Sequence, residues 1–192
     1  MPKNLTNVKE DILTVTRQLI KETGYAELNI RNIAARCGVA TGTVYNYYSS
    51  KNQIIAEILL NEWKLMLRKI DQNTRHPGPG IDKLKIIYDE LNNFMINVHG
   101  KWFQTHPVEN TEEMNMSKLN EKRKLLRNQI SEKVLALVQP AAGKEQHTRE
   151  AMDTSDIIAH VLISYSNEEA EFSRIRPALA ALLNQLADET IE

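Results

Sequence analysis

The chain has 192 residues, of which 42% are apolar, and its formal net charge at neutral pH is −1. A chain of this length and composition buries a substantial hydrophobic core, so it needs no disulfides or structural metal to fold. The single cysteine, Cys37, excludes an intramolecular disulfide framework and fits a reducing compartment, and we expect it to be a buried packing residue.

The N-terminal segment has none of the features of a secretory signal. Residues 1–6 lack a long apolar stretch, and no later segment has the uninterrupted apolar run that is needed to cross a bilayer. The sequence therefore predicts a cytoplasmic protein without a membrane partner.

The charge is distributed unevenly along the chain. Residues 1–51 carry seven Lys or Arg against four Asp or Glu, an excess of +3, whereas the remaining residues carry 17 against 21, an excess of −4. The N-terminal part is therefore the part that can attract phosphate groups.

Two short helices are predicted first. Asn7 is a good N-cap with Glu10 three residues later, as in a capping box, and the helix that follows ends at Gly24. A second helix begins after Asn29, another N-cap residue, and stops at Gly38.

A third short helix is predicted from about Thr41 to Tyr48. Ser50 and Gln53 then form a second capping-box pattern that opens a long helix. Residues 75–80 contain two prolines and two glycines, which cannot continue a helix, so we expect a loop there.

The rest of the chain has apolar residues at three- and four-residue steps. This spacing predicts amphipathic helices over residues 81–98, about 119–137 and 157–165, and a last helix that starts near Pro177. No strand alternation or internal repeat appears, so the predicted fold class is all-α.

The segment around Gly38 has the composition of a helix-turn-helix. Two helices that cross at a steep angle need small residues where they touch and a glycine where the chain reverses, which Ala34, Ala35 and Gly38 supply. Val44 and Tyr48, one turn apart, are then expected to face inward. The opposite face of the third helix is polar and aromatic and lacks acidic residues, which suits insertion into a DNA major groove.

The stretch from Ile12 to Lys51 resembles the DNA-binding domain of the tetracycline-repressor (TetR) family. The resemblance consists of a set of short motifs that spans forty residues without a gap: Gly24-Tyr25, Ile33-Ala34, Gly38-Val39, Gly42-Thr43-Val44-Tyr45, Tyr47-Tyr48 and Ser50-Lys51. It implies a three-helix DNA-binding domain at residues 1–51 and a helical effector-binding and dimerisation domain at residues 52–192.

The resemblance also implies which residues contact DNA. Two residues depart from the family pattern: Ala40 replaces a capping serine, so that Thr41 becomes the alternative cap, and Tyr48 replaces a phenylalanine, so that its hydroxyl needs a partner or solvent. Base edges would be contacted by Arg31, Thr41, Gly42 and Tyr45, and phosphates by Thr43, Asn46, Tyr47 and Lys51.

By the same resemblance, the chain is a homodimeric repressor that leaves a palindromic operator when a small ligand binds its C-terminal helices. It implies no cofactor. Aromatic and soft side chains that could line the ligand pocket are Trp63, Tyr88, Phe94, Met95, Trp102 and Phe103. Candidates for the dimer interface are Ile158, Leu162, Tyr165, Leu179, Leu182, Leu183 and Leu186, because the final helix is apolar over much of its girth.

Several alternatives remain open at this point. The aromatic residues could be plain core, the last helix could be buried within one chain, and His99 and His106 are expected to bind no metal because they have no cysteine partner and no i,i+4 pairing. One rival function is a protein-interaction adaptor that uses the helix-turn-helix as a scaffold. A small all-α enzyme is the other, but no catalytic motif supports it.

Overall fold

The regular elements of the protein are helices. The computed structural model describes residues 7–96, 116–138, 149–166 and 171–188, and no β-strand occurs in these ranges. The predicted all-α fold class is therefore confirmed. The helices, in chain order, are α1 (Val8–Thr23), α2 (Ile30–Cys37), α3 (Thr41–Tyr47), α4 (Lys51–Asn73), α5 (Gly80–Phe94), α6 (Met116–Val138), α7 (Arg149–Ser166) and α8 (Phe172–Asp188).

The chain divides into two compact units, and the division falls inside α4. Residues up to Leu65 belong to the first unit, and Met66–Met95 belong to the second together with the helices from Met116 onward. The resemblance predicts a boundary between two functional domains at residue 51. That boundary stays a prediction.

The ends of α2 follow the predicted signals. The Asn29 side chain accepts a 2.9 Å hydrogen bond from the Asn32 backbone N–H, which caps the helix. At the other end, Gly38 has a left-handed conformation (φ 70°, ψ 32°), which glycine adopts without the steric cost of a Cβ atom. The chain therefore reverses at Gly38, as the helix-turn-helix prediction requires.

The N-cap of α1 differs from its prediction. Asn7 lies at the N-cap position, but its side chain makes no capping hydrogen bond, so the expected capping box with Glu10 does not form. The backbone φ and ψ of Asn7, −154° and 42°, depart from the extended conformation that is typical of a capping residue.

The core of the first unit is formed where α1 packs on α2 and α2 packs on α3. Its central side chains come from all four helices and are fully buried: Ile12, Ile33, Val44, Ile54 and Ile58. Cys37 is also buried, as predicted. Complete burial of these side chains supplies most of the driving force that holds the short helices α2 and α3 in place, because helices of this length are not stable alone.

The start of α4 is held by the predicted pair of Ser50 and Gln53. The Ser50 hydroxyl accepts a 3.3 Å hydrogen bond from the Gln53 backbone N–H. The Gln53 side-chain carbonyl in turn accepts from the backbone N–H of Ser49 at 2.7 Å and from its hydroxyl at 3.1 Å. The capping box is therefore present, with its return bond one residue earlier than in the standard pattern.

Tyr48 faces the core as predicted, and its hydroxyl is buried with it. The side chain is 2% exposed, and its buried hydroxyl lies next to the Glu57 carboxylate without a hydrogen bond of normal geometry to it. Burial, with a smaller contribution from the nearby Glu57 carboxylate, raises the pKa of Tyr48 far above its ordinary value. Glu57 itself pairs with the Lys9 ammonium at 2.8 Å, which lowers the pKa of the Glu57 carboxyl.

We expect Tyr48→Phe to raise the free energy of unfolding by about 1 kcal/mol, because it removes a buried hydroxyl that forms no hydrogen bond of normal geometry with its neighbour Glu57. The matched control is Tyr25→Phe, which deletes a hydroxyl that donates a 2.7 Å hydrogen bond to the Asn52 side chain and should lower stability. Urea denaturation of the three proteins measures both changes. Equal destabilisation by the two variants would mean that the Tyr48 hydroxyl has a partner after all.

In the second unit, α5 packs against α6, α7 and α8, and α7 packs against α6 and α8. The core side chains between these helices are fully buried and come from each of them, as in Leu84 and Ile87 of α5, Val134 of α6 and Leu162 of α7. Packing of this kind buries the apolar stripe that the sequence predicts on each helix.

The last helix begins earlier than predicted. α8 starts at Phe172, and Pro177 lies inside it rather than at its start. Phe172, Ile175 and Leu179 are buried at helical spacing, so the apolar stripe extends across the proline. Proline is most favourable in the first turn of a helix, and here the burial of residues on both sides outweighs that preference.

Candidate nucleic-acid interface

The outward face of α3 is exposed as predicted. Tyr45 and Tyr47 are 56% and 45% exposed, although large aromatic side chains are usually at least partly buried. Gly42 is exposed as well, and no heavy atom lies within 4 Å of the position that a Cβ atom would take there. Another molecule can therefore approach the α3 backbone closely at this point.

The other predicted contact residues on α3 are also accessible. Thr41 and Asn46 are exposed, and Thr43 is half-buried. Arg31, in the first turn of α2, is exposed, whereas Lys51, at the start of α4, is half-buried.

Four of these residues line a common groove. The groove is open, has a volume of about 770 Å³, and lies between the start of α2, α3 and the start of α4. Arg31, Thr41, Tyr45 and Lys51 contribute to it, together with Leu28, Asn29, Ile30, Asn32, Ser49 and Ser50. The other four predicted contact residues, Gly42, Thr43, Asn46 and Tyr47, do not line it.

The groove, which we call the reading groove, has a positive lining. It contains the charges of Arg31 and Lys51 and no carboxylate. Arg31 makes no ion pair with any residue in the described part of the chain, whereas three other basic residues of the first unit are each paired with a glutamate. These pairs are Lys9 with Glu57, Arg17 with Glu62 and Arg36 with Glu22. An unpaired guanidinium beside an acid-free surface is suited to bind a nucleic acid.

Lys51 has contacts inside the chain as well. Its ammonium donates a 3.1 Å hydrogen bond to the Leu28 carbonyl and lies 4.7 Å from the centre of the Tyr25 ring. The Tyr25 hydroxyl donates a hydrogen bond to the Asn52 side chain. The contacts of Lys51 and Tyr25 therefore both connect the start of α4 to the turn before α2. Sequence reasoning included Tyr25 in a motif without giving it a role. Its position directly after Gly24, where an aromatic residue follows the end of α1, was the available signal.

The capping of α3 is resolved differently from the prediction. Ala40 occupies the N-cap position without a side-chain hydrogen bond, and Thr41 is the first residue of the helix rather than its cap. The Ala40 carbonyl accepts from the Thr43 backbone N–H at 2.9 Å. The exposed Thr41 side chain therefore does not cap the helix and remains available for a DNA contact.

The residues Asn32 and Ser49 also line the reading groove and were not predicted. Both lie next to predicted contacts, Asn32 after Arg31 and Ser49 before the capping pair. Short polar side chains at helix starts are the sequence signal that could have identified them, because the free N–H groups there attract anions.

The predicted ligand-pocket residues lie in both units, and each is described within its own. Trp63, in the first unit, is buried. In the second unit, Tyr88 is buried, and Phe94 and Met95 are half-buried. Trp102 and Phe103 lie outside the described residues. The assignment of these side chains to a ligand pocket stays a prediction.

The predicted interface residues on α7 and α8 fall into two groups. Ile158, Leu162 and Leu179 are fully buried within the single chain, so they present no surface to a second copy. Tyr165, Leu182 and Leu183 are half-buried, and the side chain of Leu186 lies outside the described ones. The large apolar side chains that α7 exposes are Met152 and Ile157, at 46% and 52%.

The described residues contain neither a metal-binding cluster nor a membrane-spanning helix. Within the described ranges, no group of three or more His, Cys, Asp or Glu is placed to hold a metal ion, and His99 and His106 lie outside those ranges. Among the helices that the structure describes, none is long and apolar enough to cross a membrane.

Known proteins resemble this chain in sequence over the N-terminal part. Residues 12–58 match the family model described as bacterial regulatory proteins, tetR family. An uncharacterized HTH-type transcriptional regulator of Mycobacterium bovis is 44% identical over 50 residues, which are 26% of this chain and 24% of the relative. The matching stretch thus spans about a quarter of the length of this relative.

Solved structures resemble the chain over nearly its whole length. The transcriptional regulator FadR of Bacillus subtilis, in complex with stearoyl-CoA, aligns with a TM-score of 0.57 at 17% identity and covers 91% of this chain and 96% of its own. BioQ, bound to its natural double-stranded DNA operator, aligns with a TM-score of 0.53 at 14% identity and covers 94% and 98%. At these identities the likeness concerns the fold.

The fold and the motifs thus agree. A helix-turn-helix with an exposed α3 precedes a helical second unit, and the family model covers α2, α3 and the start of α4. The predicted resemblance is confirmed for the N-terminal part: residues 12–58 match the model of the tetR family of bacterial regulatory proteins.

Proposed function

We propose that this protein is a DNA-binding transcriptional regulator, a repressor that leaves a palindromic operator when a small molecule binds its C-terminal helices. The observation that carries the proposal is the reading groove, where Arg31, which has no ion pair among the described residues, and the exposed Tyr45 lie together on a surface without carboxylates. Side chains of these types read base edges in a major groove, and arginine is the commonest reader of guanine.

The contacts divide into two kinds. Arg31, Thr41 and Tyr45 line the reading groove and are proposed to contact bases, with Gly42 allowing the α3 backbone close to the DNA. Phosphate contacts are proposed for Lys51, which also lines the groove, and for Thr43, Asn46 and Tyr47, which lie on α3 outside it. Phosphate contacts set position and overall affinity, and base contacts set sequence preference.

A palindromic operator requires two copies of α3 in successive major grooves, roughly 34 to 36 Å apart. We therefore propose a homodimer, whose contacts on α7 would come from exposed side chains such as Met152 and Ile157 rather than from the buried Ile158 and Leu162. A ligand that changes the separation of the two reading helices would weaken DNA binding without touching the DNA.

The effector is proposed to be a small molecule held among the C-terminal helices. FadR of Bacillus subtilis, a neighbour in fold, was solved with stearoyl-CoA, so this architecture is able to accommodate a ligand with a long apolar part. Trp63, Tyr88, Phe94, Met95, Trp102 and Phe103 remain the proposed lining. The mechanism involves binding steps only, with no catalysis and no cofactor, and a regulator of chromosomal genes of this kind works in the cytoplasm.

The test is a selection of binding sites from random duplex DNA with the full chain, followed by mobility shifts at moderate salt. We expect an enriched palindrome and a strong salt dependence, because the logarithm of the binding constant falls by about 0.9 per phosphate contact for each unit of log salt concentration. Binding that shows no preference over random duplex would overturn the proposal. An adaptor protein would give no salt-dependent binding to duplex DNA.

A further inference from the structure

The Lys51 side chain is held in place by neutral groups. Its ammonium donates a 3.1 Å hydrogen bond to the Leu28 carbonyl and lies 4.7 Å from the centre of the Tyr25 ring. No carboxylate among the residues that the structure describes pairs with it, whereas the ion-paired basic residues of the first unit are each held by a glutamate. The position of the Lys51 ammonium is thus restrained without loss of its positive charge.

This arrangement leaves the ammonium able to bind an anion. An ammonium has three N–H donors, and the Leu28 carbonyl accepts from one of them. Lys51 is half-buried rather than enclosed, and it lines the reading groove, which contains no carboxylate. A phosphate at the groove therefore meets a charge that is neither neutralised nor saturated with hydrogen bonds.

The Tyr25 ring is itself restrained from two sides. Its hydroxyl donates a 2.7 Å hydrogen bond to the side chain of Asn52, the residue after Lys51. The ring is half-buried and packs against the core of the first unit. Because an aromatic face attracts a cation through its quadrupole, a ring in a fixed position limits where the ammonium can go.

We propose that Tyr25 is a positioning residue for DNA binding, whose ring face keeps the Lys51 ammonium at the reading groove in position to bind a phosphate. The inference rests on the proposed DNA-binding function and adds to it a residue that does not itself line the groove. A mobile lysine loses side-chain entropy when it binds a phosphate, and the ring lowers that cost because the side chain is already ordered.

Tyr25→Leu is expected to weaken binding to the selected operator and to random duplex alike, by about fivefold, which corresponds to the cost of immobilising one long side chain. Leucine keeps apolar contact with the core but has no ring face. Tyr25→Phe keeps the ring face and loses the hydroxyl, so its DNA affinity should stay within about twofold of the wild type even though its stability is lower.

The experiment is a double-mutant cycle on the full chain, with DNA affinity measured by fluorescence anisotropy and folding checked by circular dichroism at the same temperature. It compares the wild type, Tyr25→Leu, Lys51→Met and the double variant. With Lys51→Met there is no ammonium to position, so adding Tyr25→Leu should cause no further loss of affinity. A ring that serves the fold alone would cause the same loss in both backgrounds.

Two results would overturn the inference while the proposed function stands. One is an equal loss of affinity from Tyr25→Leu with and without Lys51→Met, and the other is a loss from Tyr25→Phe as large as that from Tyr25→Leu. Both are read against a wild type that binds its operator in a salt-dependent manner. A wild type without such binding would instead contradict the proposed function, and the inference with it.

Discussion

Replacing Arg31 with alanine is expected to lower affinity for the preferred operator by about tenfold to a hundredfold, while affinity for random duplex changes little. The guanidinium is exposed at the start of α2, lines the reading groove with Tyr45, and has no ion pair with any described residue. It therefore does not have to break an internal contact before it reaches a base. The loss should be concentrated at one or two positions of each half-site, because a bidentate contact reads a single base pair.

The measurement is competitive binding of wild type and variant to the selected operator and to single-base substitutions of it. Arg36→Ala is the matched control, because Arg36 lies on the same helix but pairs with Glu22 at 2.8 Å and does not line the groove. Tyr45→Ala should also relax sequence preference, whereas Tyr47→Ala should weaken binding to all sequences alike. If Arg31→Ala and Tyr45→Ala weakened specific and random binding by equal factors, as Tyr47→Ala is expected to do, the division into base and phosphate contacts would be wrong.

Replacing Lys51 with alanine is expected to reduce both DNA affinity and stability. The ammonium is proposed to contact a phosphate, and its loss should weaken binding to every sequence and lower the salt slope by about one per protomer. It also donates to the Leu28 carbonyl and lies over the Tyr25 ring, so the free energy of unfolding should fall by about 1 to 2 kcal/mol.

Three variants separate the two effects of Lys51. Lys51→Met keeps the apolar stem and removes the charge, so it should lower the salt slope by the same amount as Lys51→Ala, about one per protomer. Lys21→Ala removes an exposed lysine of α1 that makes no ion pair in the described chain, and it should change neither property by a measurable amount. Lys51→Arg keeps the charge and should retain the salt slope. Loss of stability without any change in the salt slope would make Lys51 a structural residue only.

Local structure in the first unit was predictable because its signals act over a few residues. The Asn29 cap, the left-handed Gly38 and the pairing of Ser50 with Gln53 each involve neighbours in the chain, and each appears where the sequence places it. The same holds for the inward stripe of α3, because the 3.6-residue period alone puts Val44 and Tyr48 on one face. The predicted cap at Asn7 lacks its side-chain bond, which shows that a good residue type does not ensure the geometry.

Side-chain partners across the fold were not predictable in this way. Lys51 and Leu28 are 23 residues apart, and Tyr25 and Asn52 are 27 apart, so no local pattern reports their contacts. Periodicity identifies an apolar face but not what covers it, which is why the fully buried Ile158 and Leu162 were expected at a dimer interface.

The sequence by itself determined the all-α class, the helix-turn-helix and the outward face of α3, because helix ends, turns and amphipathic periods are properties of short segments. Only the tertiary structure decided that Arg31 and Tyr45 share one groove, that Lys51 is partly held inside the chain, and that α8 begins five residues before Pro177. These features depend on packing between helices, where the burial of side chains from distant segments outweighs local preference.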